Sequence, residues 1–228
     1  MDITQNIERL RRRIEESAHR VRRDPKNIGL VAVTKNVKVE SIIEAARAGI
    51  DIFGENYAQE LRDKYIKVEK ALGRNVKWHF IGRIQKNKVK YLVGNVELIH
   101  SLDSIKIAEE INTRAGWLRV NVPVLMEVNA DEDQKGGVRF GAVEEFLEFL
   151  KIYPNITVKG LMIMPRYFEE KEMARPYFKG LRELRDKLQK KSPEIIELSM
   201  GMSGDFEVAI EEGATILRIG TAIFGPRA

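Results

Sequence analysis

The stretch "ELSMGMSGDFEVAIEEGATILRIGTAIFG" (residues 197–225) shows the repeating unit from which this chain is built. It begins in one apolar run, "IIELSMG", and it contains a second, "TILRIGT". Between them, the small and glycine-rich segment Ser199–Asp205 opens a helical pattern. A strand, a loop, a helix and a second strand in this order are typical of parallel α/β proteins.

The same unit, an apolar run followed by a helical pattern, recurs in the preceding part of the chain. Six further apolar runs precede these two, which gives eight in all: "IGLVAVTK", "IDIFGEN", "KWHFIG", "VELIHSLD", "PVLMEVN", "VKGLMIM", "IIELSMG" and "TILRIGT". Continuous apolar runs indicate strands that are buried on both faces. Eight strand–helix units predict an α/β fold with a single (β/α)8 TIM barrel over residues 28–228. A doubly wound open sheet is the alternative, and the number of repeats argues against it.

An amphipathic segment precedes the barrel. Apolar residues recur there at helical spacing, namely Ile3, Ile7, Leu10, Ile14 and Val21. The pattern predicts an extra N-terminal helix within residues 1–25, and we expect one domain over residues 1–228. Three glycines, Gly49, Gly116 and Gly213, are expected to end helices, and Pro176 is expected to begin one.

Composition excludes several classes of function. The chain has 228 residues and no cysteine, so it forms no disulfide, thiolate metal site or cysteine nucleophile. No cluster has metal-ligand spacing, so no metal is expected. No segment reaches about 18 apolar residues, and no signal peptide is visible, so we expect a cytoplasmic protein without a membrane partner. The net charge is +5, but basic and acidic residues alternate, which argues against a nucleic-acid partner.

The candidate chemistry lies where the strands end, because the active face of such a barrel is at the carboxyl ends of its strands. Lys35 ends the first run, and glycine-rich loops follow the seventh and eighth runs, the usual position of a phosphate site in this fold. An amine near a phosphate site suits two chemistries. One is a Schiff-base aldolase that acts on a sugar phosphate, and the other is pyridoxal 5′-phosphate (PLP) chemistry.

The chain also resembles a known family. The motifs "AVTK", "FGENYAQE", "WHFIGRIQKNK", "IHSLDS", "GLM" and the stretch quoted first span Ala32 to Gly225. Together they resemble the pyridoxal phosphate homeostasis proteins, which are similar to the N-terminal barrel of bacterial alanine racemases. The resemblance implies that the chain holds PLP covalently on Lys35, as an aldimine, and takes part in intracellular vitamin B6 homeostasis.

The resemblance further implies a set of cofactor-binding residues. Ser203, Gly204, Gly220 and Thr221 would bind the phosphate, and Arg218 would face the pyridine nitrogen. Asn56 would lie beside the ring, near its phenolic oxygen. His79 and Met200 would line the pocket.

The resemblance implies a carrier of the cofactor rather than an enzyme. A racemase needs two acid–base groups, and the sequence offers Lys35 with no certain second group. The second group of alanine racemase is a tyrosine from a further domain, which we do not expect here, and His79 is a weak substitute. We therefore expect a monomer that passes PLP to apo-enzymes. A PLP-dependent racemase or lyase of low activity is the alternative, and a sugar-phosphate aldolase is less favoured.

Overall fold

The computed structural model describes residues 2–130 and 136–226. The outer limits predicted for the single domain, residues 1 and 228, therefore lie outside the described residues. The strands are β1 Gly29–Val33, β2 Ile52–Glu55, β3 Lys77–Phe80, β4 Leu98–Leu102, β5 Val122–Val128, β6 Ile156–Ile163, β7 Glu197–Ser199 and β8 Ile216–Ile219. The α-helices are α1 Ile3–Arg20, α2 Val39–Arg47, α3 Ala58–Leu72, α4 Ile105–Leu118, α5 Val143–Leu150, α6 Arg175–Gln189, α7 Phe206–Glu211 and α8 Thr221–Phe224.

The eight strands form one closed parallel barrel in sequence order, with β8 paired to β1. The predicted TIM barrel with an extra N-terminal helix is therefore confirmed, and the open sheet is excluded. The connection between β3 and β4 is the exception to the repeat, because it carries a 3-10 helix, Lys86–Tyr91, in place of an α-helix.

Side chains alternate between the barrel interior and the surrounding helices, as they must on a β-strand. Five residues, one from each of five strands, form an apolar cluster that is separate from the main core: Val31, Leu98, Leu125, Met162 and Ile216. Residues of the opposite parity, such as Ala32, Phe53 and Leu198, belong to the main core with the helices. This alternation determines which residue at each strand end faces the barrel mouth.

Helix α1 buries the predicted stripe Ile3, Ile7, Leu10 and Ile14. The fifth member of the stripe, Val21, was wrongly included, because it is the C-cap residue and is 36% exposed. Gly49 and Gly213 follow helices with positive φ angles, as predicted. Gly116 was wrongly predicted to end a helix. It lies inside α4, and Arg119 takes the left-handed conformation at the end of that helix instead.

Helix α6 begins at Arg175, next to Pro176, as predicted. Among the helices of residues 2–130 and 136–226, none combines the length and the apolar composition that crossing a bilayer requires.

Candidate functional site

A cavity of about 280 Å³ lies at the carboxyl ends of the strands. It is lined by seven of the nine residues predicted for the site: Lys35, Asn56, Ser203, Gly204, Arg218, Gly220 and Thr221. These residues follow or end β1, β2, β7 and β8, and closure of the barrel brings the four strand ends together. A hollow of about 370 Å³ at the other end of the barrel, between α1 and the starts of β1 and β2, shares none of these residues.

The alternation of side chains explains how Lys35 and Asn56 reach the cavity. Val31 faces the interior, so Val33 and Lys35 share its side of the chain. On β2, Phe53 packs outward, and residues at even positions, Gly54 and Asn56, take the inner face. The amine of Lys35 and the amide of Asn56 therefore line the mouth from neighbouring strands.

Met200, one of the two remaining predicted residues, does not reach the cavity. Met200 follows Leu198 by two residues, so the two side chains point to the same face of the barrel wall. Both are fully buried in the main core against the helices. Successive side chains of a strand point to opposite faces of the sheet. Because Ser199 points into the barrel, its neighbour Met200 must point outward. Met200 therefore packs behind the glycine-rich loop rather than beside a ligand.

His79, the other remaining residue, lies inside the barrel but below the cavity lining. Its Nδ1 is 2.9 Å from Nε2 of His100, and Nδ1 of His100 is 2.8 Å from Oγ of Ser199. Arg218 Nη1 donates to the same hydroxyl at 2.6 Å, and its Nη2 donates to the carbonyl of Ile163 at 2.9 Å. Arg218 is thus anchored from below by a buried polar row.

One direction in this row follows from donor and acceptor chemistry. Arginine only donates, so Ser199 Oγ accepts from Arg218. The bonds from Ser199 to His100 and from His100 to His79 run one way or the other with the tautomer of His100, because a hydroxyl oxygen can donate and accept at once. Each of the two bonds uses one proton, so both imidazoles are neutral in either direction.

The electrostatics agree with neutral histidines. Burial, and secondly the charge of Lys77, lowers the pKa of His79 to about 4. Burial also holds the pKa of His100 well below its ordinary value, with His79 and Arg218 adding to the effect. Burial lowers the pKa of Arg218 to about 10, so the guanidinium remains cationic at neutral pH.

This pair of histidines predicts a loss of stability on acidification. The unfolded chain protonates histidine near pH 6.5, whereas the folded chain resists protonation to about pH 4. Stability is therefore complete above pH 6.5 and is lost as the pH falls toward 4. For His79 alone, the loss is roughly 2 to 3 kcal/mol of unfolding free energy between pH 7 and pH 4.5.

Urea unfolding of wild type and His79→Gln at these two pH values measures this effect. The variant is expected to lose less stability on acidification than wild type. Glu127, whose pKa is raised to about 7 by burial and by Asp103, titrates in the same window in the opposite direction. It is present in both proteins, so its effect cancels in the comparison. Equal losses in the two proteins would show that His79 is protonated in the folded state.

The loops after β7 and β8 form a cradle with the properties of an anion site. Ser203 Oγ accepts a hydrogen bond from the backbone N–H of Ala222 at 3.2 Å, which ties the two loops together. In the described part of the chain, the N–H groups of Ser203, Gly204 and Thr221 donate to no protein acceptor. Backbone N–H groups left open at a loop and a helix start are suited to phosphate oxygens.

Two glycines shape this cradle for different reasons. Gly201 has a φ of +92°, and a Cβ placed on it would lie 2.6 Å from the Cβ of Ala209, so only glycine fits there. A Cβ on Gly204 would meet nothing within 4 Å, because that residue faces open space at the cavity. Asp205 completes the loop by accepting from the N–H of Met202 at 2.6 Å.

Asn56 lines the cavity and also carries an unsatisfied polar atom. Its Oδ1 is buried and accepts no hydrogen bond within the described chain. A buried acceptor without a partner is costly. The cavity itself offers an amine, an anion cradle and a cationic donor.

Sequence reasoning missed several residues of the lining. Ile81 and Val33 share the inward parity of their strands, so strict alternation identifies both. Tyr167, Phe168 and Lys171 come from the long connection between β6 and α6. No spacing rule predicts that a loop will lie over a barrel mouth, so nothing in the sequence indicated that these three residues line the cavity.

The sequence matches the family described as "Alanine racemase, N-terminal domain" over residues 3–228. Alanine racemase from Clostridium difficile 630 has a similar structure, with a TM-score of 0.72 over 99% of this chain and 57% of the racemase. The two are 16% identical, so this likeness shows the fold alone. The protein is thus a barrel of the alanine racemase type.

More similar relatives narrow the assignment. The "Pyridoxal phosphate homeostasis protein" of Aquifex aeolicus strain VF5 is 46% identical over 100% of this chain and 99% of its own length. PipY of Synechococcus elongatus PCC7942, solved with PLP bound, is 32% identical with a TM-score of 0.82 over 93% of this chain and 100% of PipY. The chain belongs to the pyridoxal phosphate homeostasis protein family, as the sequence motifs predicted.

Proposed function

We propose that this protein binds PLP, holds it covalently on the amine of Lys35, and serves intracellular PLP homeostasis without substantial turnover of its own. The observation that carries the proposal is the presence of Lys35 and the Ser203–Gly204 cradle in one cavity. The residues present fit the cofactor, because a carbonyl needs an amine and a phosphate needs open N–H donors. PLP bound in this way supplies a carbonyl carbon that reacts with amines.

The predicted residues that line the cavity each receive a role in this proposal. Ser203, Gly204, Gly220 and Thr221 bind the phosphate through the loops after β7 and β8. Asn56, which lines the cavity, lies beside the ring, near its phenolic oxygen. Arg218 faces the pyridine nitrogen, held there by Ser199 and the carbonyl of Ile163.

The same residues favour a carrier over a catalyst. A guanidinium can only donate, so Arg218 leaves the pyridine nitrogen without a proton of its own and the ring remains a weak electron sink. His79, considered from the sequence as a second acid–base group, is neutral, buried and engaged with His100. We infer that the chain acts as a single PLP-binding barrel domain, as a monomer, and that apo-enzymes receive the cofactor.

The proposal is tested by adding PLP to the purified protein, reducing with borohydride, and mapping the modified peptide. We expect a visible Schiff-base band before reduction and a single pyridoxyl adduct on Lys35. An adduct on another lysine would assign the amine elsewhere, and no adduct at all would reject PLP binding through an amine.

A turnover assay separates the carrier from the alternative, a PLP-dependent racemase or lyase of low activity. Besides Lys35, the cavity lining includes three titratable side chains that such an activity would use: Tyr167, which is 80% exposed, Lys171 and Asp205. Incubation of the PLP-loaded protein with a panel of amino acids is expected to give neither the opposite enantiomer nor a cleaved product. Turnover abolished by Lys35→Ala would establish the enzyme instead.

A further inference from the structure

A buried charged triad lies directly behind the two strand ends that carry Lys35 and Asn56. Lys64 on α3 donates to Glu55 Oε1 at 2.7 Å and to Glu60 Oε2 at 2.5 Å. The side chain of Glu55 is fully buried, that of Lys64 is 11% exposed and that of Glu60 is 28% exposed. None of the three lines the cavity, so the binding of a ligand does not explain them.

The triad holds the backbone on both sides of Lys35. Lys64 Nζ donates to the carbonyl of Thr34 at 2.8 Å, and Glu60 Oε2 accepts from the N–H of Asn36 at 3.0 Å. Asn36 has a φ of +59°, a left-handed conformation that asparagine adopts more readily than most other residues with a side chain, and its N–H is bound by Glu60. The residue between these two contacts is Lys35.

The same triad also holds the neighbouring strand. Glu55 Oε1 accepts from the hydroxyl of Thr34 at 2.7 Å, which joins the end of β1 to the end of β2. Glu55 Oε2 accepts from the N–H of Asn56 at 3.2 Å. Three charged side chains thus contact the chain at positions 34, 36 and 56, immediately next to both residues that face the cavity.

We propose that Glu55, Lys64 and Glu60 form a backbone clamp that positions Lys35 for attack on the cofactor carbonyl, and that Lys64 is its central positioning residue. Buried ion pairs contribute little net stability, because desolvation offsets their attraction. The desolvation of Glu55 is visible in its pKa, which burial raises despite the nearby Lys64. The triad is costly to desolvate, and its backbone contacts are concentrated beside Lys35 and Asn56. It is therefore better explained by the positioning of these residues than by a contribution to stability.

This inference rests on the proposed function, and it is tested with a charge-neutral variant. Lys64→Met combined with Glu55→Met and Glu60→Met removes the donors and acceptors of the clamp without leaving an unpaired buried charge. Glu212→Gln is the control, because Glu212 is also buried, accepts from Arg175 at 2.9 Å, and lies at the C-terminal end of α7, outside the cavity lining.

Two measurements are made on each protein. The first is the rate of Schiff-base formation with PLP, which is expected to fall at least about tenfold in the triple variant because small displacements of a reacting group are costly. The second needs no cofactor: the rate of reductive methylation of Lys35 relative to exposed Lys106, read by mass spectrometry. In the triple variant this ratio is expected to move toward one, while its melting temperature stays close to that of Glu212→Gln.

The outcomes separate the clamp from the proposed function. Unchanged Schiff-base formation and methylation in the triple variant would overturn the clamp. If wild type forms no Schiff base but the methylation ratio still changes, the clamp stands and PLP binding through Lys35 fails. If the triple variant does not fold, Glu60→Ala decides the question. It removes only the partly exposed carboxylate, and it is expected to shift both measurements in the same direction by a smaller amount.

Discussion

Lys35→Ala is expected to abolish the visible Schiff-base band and the borohydride-stable adduct completely, while leaving the fold intact. Lys35 lies beyond the last residue of β1, and its side chain is directed to the mouth rather than to the apolar interior. Removing it therefore deletes the reacting amine without opening a cavity in the core. Absorption spectra of wild type and variant with PLP, and thermal unfolding of each without PLP, measure the two effects.

Lys171→Ala is the informative comparison for this prediction. Lys171 is the other lysine that lines the cavity, and it contacts Glu207 at 3.6 Å. We expect this variant to retain the Schiff-base band at the wild-type wavelength. If the band were lost in Lys171→Ala and kept in Lys35→Ala, the amine that forms the Schiff base would be that of Lys171, in the connection between β6 and α6.

Gly204→Asp is expected to weaken PLP binding by roughly 30- to 100-fold, a change of about 2 to 3 kcal/mol. The backbone of Gly204 has no positive φ, and a Cβ there meets nothing within 4 Å, so the substitution is sterically free. A carboxylate at this point faces the same open space as the phosphate. Repulsion between the two anions inside a partly enclosed cavity then opposes binding.

Two controls make this test specific for the phosphate. Gly141→Asp introduces the same charge at an exposed glycine whose Cβ also meets nothing within 4 Å, away from the cavity. We expect that variant to bind PLP as wild type does. Pyridoxal, which lacks the phosphate, should bind Gly204→Asp and wild type with similar affinity. An equal loss for PLP and pyridoxal would show that the loop supports the fold of the pocket and does not bind phosphate.

The fold followed from local patterns that depend on neighbouring residues in the chain. Eight apolar runs separated by amphipathic stretches were sufficient to predict the barrel. Strands and helices can each be recognised in a sequence from the spacing of their apolar side chains. Errors arose at the ends of helices, because residue type alone does not fix the last residue of a helix. Gly116 does not end α4, and Val21 is not part of the buried face of α1.

The candidate site was only partly accessible to the same reasoning. Motifs located the strand ends, but Met200 was assigned to the pocket although its parity directs it to the helices. The row from Arg218 to His79 joins residues from β8, β7, β4 and β3, and the clamp joins β1 and β2 to α3. No spacing in the sequence predicts contacts between residues up to 99 positions apart.

By itself, the amino-acid sequence determined the order and number of the strands, the N-terminal helix, the family, and the amine and glycine-rich loops that face one end of the barrel. These follow from the period of side chains and from the residue types that special backbone conformations require. Only the tertiary structure decided which side chains meet at the mouth, that His79 and His100 are neutral, and that charged residues outside the cavity contact the backbone on both sides of Lys35. Closure of the barrel brings distant strands within hydrogen-bonding distance, and burial then shifts their protonation, which no local pattern records.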